Sequence, residues 1–189
     1  MQSIKMYAVF KGAASAMDVS YFVLWYKLNG ADGYLVWTSG VEDGVLLDSA
    51  GRVPGFASEA DVRRHADELG LELVDEEPTV HELDCVLAWI DDAGNTTVDC
   101  DKLLAAWNLF DDVSRSVGGS YDADKAATQG LYMKLFYGGD TANSVCRPED
   151  EAVYCPVWSE EEPAVLRSTL RAGLSMFVNT LMPVPARRR

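Results

Sequence analysis

Residues 99–119, DCDKLLAAWNLFDDVSRSVGG, predict a helix with a heavy aromatic face and set the helical character of the second half of the chain. Six apolar side chains fall on one broad face at 3.6 residues per turn: Leu103, Leu104, Trp107, Phe110, Val113 and Val117. Asp99 or Asp101 can cap the first turn, and Gly118 with Gly119 can end the last one.

Two adjacent carboxylates, Asp111 and Asp112, interrupt this helix. They lie with Asn108 and Arg115 opposite or beside the apolar face, and Arg115 is spaced to pair with either acid. Three interpretations are open: a solvated helix face, a face that contacts another protein, or a catalytic pair. Catalysis is the weakest, because a general acid needs surroundings that shift its pKa and adjacent exposed carboxylates give no sign of them.

The first third of the chain is typical of strands. Runs rich in aromatic and β-branched residues predict strands at 5–10, 20–28, 33–39 and 44–49. The stretch 29–33, NGADG, predicts a hairpin turn, since its Asn29-Gly30 and Asp32-Gly33 steps can supply positive φ angles. We therefore expect an N-terminal antiparallel β-meander, which the Gly- and Pro-containing stretch 50–56 ends.

Helical periodicity and capping residues predict four more helices, at 58–73, 80–92, 122–138 and 159–182. Ser58 is a good N-cap, and Gly70 is placed to end the helix that Ser58 begins. Ser159 and Glu162 fit a capping box. The stretch 139–158 predicts a long irregular connection.

These elements predict a single α+β domain over residues 1–189, with the meander followed by a mainly helical part. The polar stretch 74–79 is the best junction between a strand-rich lobe, 1–75, and a helical lobe, 76–182. Residues 183–189 predict a flexible tail that ends in Arg187-Arg188-Arg189.

The acid excess is the strongest compositional signal. Thirty Asp and Glu against 16 Lys and Arg give a net charge of −14. This charge disfavours nucleic acids and anionic membranes and attracts a basic partner, although it can also serve solubility alone. No signal peptide is visible and the four cysteines form no CxxC pair, so we expect a cytoplasmic protein with reduced thiols.

No pattern of catalytic, metal-binding or cofactor-binding residues stands out. The two histidines, His65 and His81, lie in predicted helices without a nucleophile motif, and no Gly-x-Ser-x-Gly elbow is present. Cys146 and Cys155, the closest cysteine pair, do not have zinc-site spacing. Phosphate-binding loops and calcium loops are absent from the sequence, so we predict no catalytic residue, no metal and no cofactor.

Four segments resemble small bacterial proteins that act as immunity-type partners of polymorphic toxins: 53–73, 99–117 with its WNLFDD core, 131–140 and 165–181. The resemblance implies a cytoplasmic protein that binds a cognate toxin tightly and blocks it. It implies no catalytic residues and supplies no map of contact residues. It does not explain the terminal arginines.

Three functions follow as hypotheses. The first is an immunity-like protein that neutralises a cognate, basic toxin by protein–protein contact. The alternatives are a carboxylate-dependent hydrolase and a structural or regulatory adaptor, and a homo-oligomer is left open. For the first hypothesis the candidate contact residues are Asp91, Asp92, Asn108, Asp111 and Asp112.

Overall fold

The computed structural model describes residues 19–95, 97–121, 125–140 and 152–185. The predicted strand at 5–10, residues 141–151 of the predicted connection and residues 186–189 of the predicted tail lie outside them. The described elements are β1 Ser20–Leu28, β2 Ala31–Ser39, β3 Gly44–Val45, β4 Val53–Gly55, α1 Glu59–Glu68, β5 Val80–Glu82, α2 Leu83–Asp91, α3 Cys100–Ser116, α4 Lys125–Gly138, α5 Glu162–Thr180 and β6 Leu181–Pro183. N-terminal strands are followed by helices, so the α+β class is confirmed.

The β1–β2 hairpin is the centre of the sheet. The strands pair antiparallel from Ser20 opposite Ser39 to Leu28 opposite Ala31. Asn29 and Gly30 turn the chain at φ 56° and 70°, as predicted. The expectation of a positive φ at Gly33 is wrong, because Gly33 lies inside β2, where an added Cβ would overlap the Tyr26 ring.

The main sheet is mixed, with strand order β3-β2-β1-β5. β1, β2 and β3 form the predicted antiparallel meander, but β5 adds to β1 in parallel. The prediction of a helix from residue 80 is wrong at its start: Val80–Glu82 pairs with β1, and the helix begins at Leu83. A second unpredicted pairing joins β4 to β6 in parallel. Both strands contain only three residues, too few for a periodic signal.

The capping residues predicted at the helix starts make the expected contacts, but the helices predicted to run to residues 73 and 182 end earlier, at Glu68 and Thr180. Ser58 Oγ accepts a hydrogen bond from the Asp61 N–H at 3.2 Å, and Asp99 Oδ1 accepts one from the Lys102 N–H at 3.1 Å. At α5, the Ser159 N–H donates to Glu162 Oε2 at 2.7 Å and the Glu162 N–H donates to Ser159 Oγ at 3.3 Å. This reciprocal pair is a capping box.

One large apolar core joins the sheet to the helices. It contains Leu24 and Leu35 from the hairpin, Phe110 from α3, and Leu170 and Phe177 from α5. A smaller cluster on the other face of the sheet, under α1, contains Val23, Val36, Phe56 and Val62. The two faces follow the alternation of side chains along β1 and β2.

Two helical glycines allow a matched test of the α3–α5 contact. A Cβ at Gly173 would overlap the Phe110 ring and lie 2.7 Å from Tyr121 Cε2, whereas a Cβ at Gly130 meets nothing within 4 Å. We expect Gly173→Ala to lower the free energy of unfolding by about 1–3 kcal/mol through overpacking. Gly130→Ala should raise it by about 0.5–1 kcal/mol. Urea unfolding measures both, and a neutral Gly173→Ala would contradict the packing described.

The burial of His81 predicts that the stability of the fold depends on pH. Burial lowers the pKa of His81, outweighing the Thr79 and Trp25 backbone groups that favour the protonated ring. The unfolded chain takes up the proton below about pH 6.5, before the folded chain does. The free energy of unfolding should therefore fall as the pH drops from 8 to 5.5, by at most about 1.4 kcal/mol per pH unit for one proton. Urea titrations should show a smaller fall in His81→Gln, and equal slopes would contradict this.

Candidate functional site

An open cleft of about 730 Å³ lies between the end of α2 and the first turns of α5. Its lining comprises Ile90, Asp91, Ala93, Trp158, Ser159, Glu160, Pro163, Ala164, Arg167, Ser168 and Arg171. One of the predicted contact residues, Asp91, therefore faces this cleft. Two arginines that the sequence did not single out, Arg167 and Arg171, face it as well.

The arginines compensate for an unfavourable helix end. α2 ends at Asp91 with Asp92 as its C-cap and has no basic residue in its last turn. Carboxylates at a helix C-terminus are destabilised by the helix dipole, so cations are favoured there. The cations at this helix end are Arg167 and Arg171, which lie one turn apart on α5.

Arg167 binds the carbonyl groups at the end of α2. Its Nε donates to the Trp89 carbonyl at 3.3 Å, and its terminal nitrogen donates to the Asp92 carbonyl at 3.1 Å and to the Asn95 carbonyl. The guanidinium also lies 4.4 Å from the centroid of the Trp89 ring. Arg167 is thus held by hydrogen bonds and a cation–π contact together.

Arg171 is attached more loosely. It donates to the Ile90 carbonyl at 3.0 Å and pairs with Asp91 Oδ1 at 3.0 Å. Both side chains of the ion pair are 58% exposed. Such a pair contributes less than about 1 kcal/mol. Asp91 and Arg171 can therefore separate at little cost if another charged group approaches.

The second group of predicted residues lies on α3, away from the cleft, and Asp112 is not where we expected it. Its side chain is buried, 3% exposed, because Trp37 of β2 covers this flank of α3 and donates from Nε1 to Asp112 Oδ2 at 3.0 Å. The expectation of two exposed carboxylates is therefore wrong for Asp112. Asn108 accepts a hydrogen bond from the Tyr132 hydroxyl at 3.0 Å.

Arg115 connects the α3 carboxylates to the sheet. Its guanidinium lies 2.6 Å from Asp111 Oδ2 and 3.4 Å from Asp112 Oδ1, and it donates to the Asp43 carbonyl at 2.5 Å. Asp112 acts inside the molecule.

Asp92 also has internal contacts, since its Oδ1 accepts from the Gly94 N–H at 3.1 Å. Contact of any of the five candidate residues with a partner stays a prediction.

The ionisable groups of the described residues give no indication of catalysis. No group of three or more His, Cys, Asp or Glu in this part of the chain could hold a metal ion. The backbone of Arg52 lowers the pKa of Asp48, the Ser58 hydroxyl that of Asp61, and the Lys134 ammonium that of Glu162. A carboxylic acid that donates a proton near neutral pH needs a pKa shift in the opposite direction.

The basic side chains are used internally. Nine Lys and Arg side chains are described, and eight of them form ion pairs: Lys27, Arg52, Arg63, Arg64, Lys102, Arg115, Lys134 and Arg171. The ninth, Arg167, binds carbonyl groups. The charge that these residues leave for a partner is therefore mainly negative.

The negative charge is concentrated in one part of the chain. Residues 65–101 contain no Lys or Arg but twelve acids: Asp67, Glu68, Glu72, Asp75, Glu76, Glu77, Glu82, Asp84, Asp91, Asp92, Asp99 and Asp101. The first six are exposed, at the end of α1 and along the segment that follows it. The exposed acids after α1 and the cleft residue Asp91 therefore belong to the same acidic stretch of sequence.

The fold is similar to a solved structure, a crystal structure of the SatS C-terminal domain in complex with bromine. The TM-score is 0.52 at 17% sequence identity, and the match covers 88% of this chain and 94% of that chain. At this identity the likeness is one of fold. No protein-family model and no curated protein matches the chain. None of the described helices is both long and apolar enough to cross a membrane.

The two cleft arginines should differ in their effect on stability. Arg167→Met leaves the carbonyl groups of the α2 end without their donor, and we expect a loss of about 2–3 kcal/mol in the free energy of unfolding. Arg171→Met removes an exposed pair and one carbonyl contact and should cost less than about 1 kcal/mol. Urea unfolding gives both values. Equal losses would show that Arg167 does not hold the end of α2.

Proposed function

We propose that the chain is an immunity-type protein that binds and neutralises a cognate, basic bacterial toxin in the cytoplasm by protein–protein contact. The observation that carries this proposal is that every described Lys and Arg side chain is engaged within the molecule, together with the net charge of −14. A surface of this kind attracts a cationic partner at long range and raises the association rate.

The position of the acids also supports a contact role. Asp67 is exposed in the last turn of α1, where the helix dipole disfavours carboxylates. Solubility alone could be served by acids placed at helix N-termini, where they would also stabilise the helix. Carboxylates held in an unfavourable place are better explained by an interaction that uses them.

The contact residues are ranked by exposure. Asp91, beside the cleft, and its neighbour Asp92 are both exposed, so they are the first candidates for contact with the toxin. Asp111 is largely engaged with Arg115, and Asp112 is buried. Asp112 therefore supports the fold rather than touching a toxin directly.

The hydrolase alternative has less support. It requires carboxylates from separate segments to converge with at least one pKa raised. Among the described residues, the acids with a shifted pKa are Asp48, Asp61, Asp99 and Glu162, and in each of them the pKa is lowered. Burial alone would raise the pKa of Asp99, but its contact with Lys102 outweighs this effect.

Genetic context and rescue of growth test the proposal. We expect a secreted protein with a variable C-terminal domain to be encoded beside this chain. Expression of that variable domain in a susceptible bacterium should stop growth, and co-expression of this chain should restore it. The absence of such a neighbour, or failure to rescue with both proteins produced, would refute the function.

The purified pair tests the electrostatic part separately. Asp91→Asn with Asp92→Asn should slow association severalfold at 50 mM NaCl while changing dissociation little, because these charges act mainly on the encounter. Asn at position 92 can still accept the Gly94 hydrogen bond. Asp111→Asn on α3 is the matched control for Asp91→Asn alone, since each removes one carboxylate that pairs with an arginine. Stopped-flow association rates decide, and a larger effect of the control would place the contact on α3 instead.

A further inference from the structure

Two aromatic side chains lie together on the sheet face that carries α1. Trp25 of β1 and Tyr34 of β2 are cross-strand partners, with ring centroids 6.2 Å apart and ring planes 11° from parallel. They share this face with Val23 and Val36 of the smaller core, and both rings are only half-buried. Exposed area therefore remains on a rigid pair of rings supported by the central hairpin.

Two carboxylates, those of Asp32 and Glu59, lie near the pair. Asp32 Oδ1 accepts a hydrogen bond from Trp25 Nε1 at 2.8 Å, which fixes the carboxylate at the edge of the indole. Burial raises the pKa of Tyr34, and the Asp32 and Glu59 carboxylates raise it further. Glu59 pairs with Arg63, but Asp32 forms no ion pair with a described basic side chain. Asp32 is thus the acid with charge available beside the rings.

The chain already places one cation at this position. Lys27 Nζ lies 5.2 Å from the centroid of the Trp25 ring and 3.6 Å from Glu82 Oε1. The ammonium therefore makes a cation–π contact with the ring while a carboxylate holds it from the side. Lys27 is also the cross-strand partner of Asp32, but its ammonium pairs with Glu82, so the Asp32 carboxylate keeps its charge beside Tyr34.

We propose that Trp25, Tyr34 and Asp32 form a binding site, the aromatic ledge, for an arginine or lysine side chain of the basic partner. The ledge rests on the proposed function and identifies a place where the toxin would be anchored. Trp and Tyr are the residues that most often dominate binding energy at interfaces, and guanidinium groups stack on both. The cleft at α2 is a weaker candidate for this role, because two arginines and one aromatic ring, Trp158, line it, against one lysine and two rings at the ledge.

The first experiment uses a nine-residue peptide of alternating Arg and Gly as the probe. Indole N–H signals of ¹⁵N-labelled protein are followed by NMR at 50 mM NaCl, and Trp25→Phe identifies the Trp25 signal. We expect this signal to shift in a saturable way. Asp32→Asn, which can still accept the indole hydrogen bond, should weaken binding at this signal about fivefold, and Tyr34→Val about threefold or more.

Asp75→Asn is the matched control, since it removes one exposed acid elsewhere and gives the same net charge. It should change the peptide affinity less than twofold. An unmoved Trp25 signal at peptide saturation, or equal weakening by Asp32→Asn and Asp75→Asn, would overturn the ledge in favour of diffuse attraction.

The toxin separates this inference from the function. If the chain rescues growth and the Asp32→Asn, Tyr34→Val double variant binds the toxin as tightly as the unchanged chain, the ledge is refuted and the immunity function stands. If the peptide binds at Trp25 but the chain fails to rescue, the cation site stands and the immunity function is refuted. Weakening of toxin binding by tenfold or more in a folded double variant supports both.

Discussion

A column of three aromatic rings joins the sheet to the helices. Tyr26 of β1 meets the ring of Phe177 in α5 edge-on, with centroids 5.2 Å apart, and Phe177 lies 6.0 Å from Phe110 of α3. α5 approaches α3 this closely because Gly173 leaves room for the Phe110 ring. The position of α5 in turn places Arg167 and Arg171 at the end of α2. The cleft therefore depends on a packing contact in the core.

Turn, capping and periodicity signals in the sequence predicted the elements that are specified by neighbouring residues. The hairpin, α1, α3 and the capping box of α5 are each specified by residues next to one another in sequence. β5 and the β4–β6 pair were missed because three-residue strands form through partners far away in the chain. Asp112 was misplaced for a related reason: a helical wheel separates polar from apolar flanks, but it does not show that Trp37 covers a polar flank and provides a donor.

The candidate site was predictable only in part. Asp91 was identified from sequence, but its setting depends on arginines about 80 residues further on. One signal was available: a helix that ends in two acids, within a stretch that lacks any Lys or Arg, needs a cation from elsewhere. The aromatic ledge was less accessible, since Trp25 and Tyr34 become neighbours only through the register of the hairpin.

The pairing of β4 with β6 has a consequence for synthesis of the chain. Val53–Gly55 emerges from the ribosome early, but its partner strand, Leu181–Pro183, is translated after every helix described here. Phe177 and Leu170 of the core arrive equally late. The nascent chain therefore leaves the part of the core that α5 covers exposed until translation is nearly complete, and its dense negative charge can limit sticking between neighbouring chains until the last helix closes the molecule.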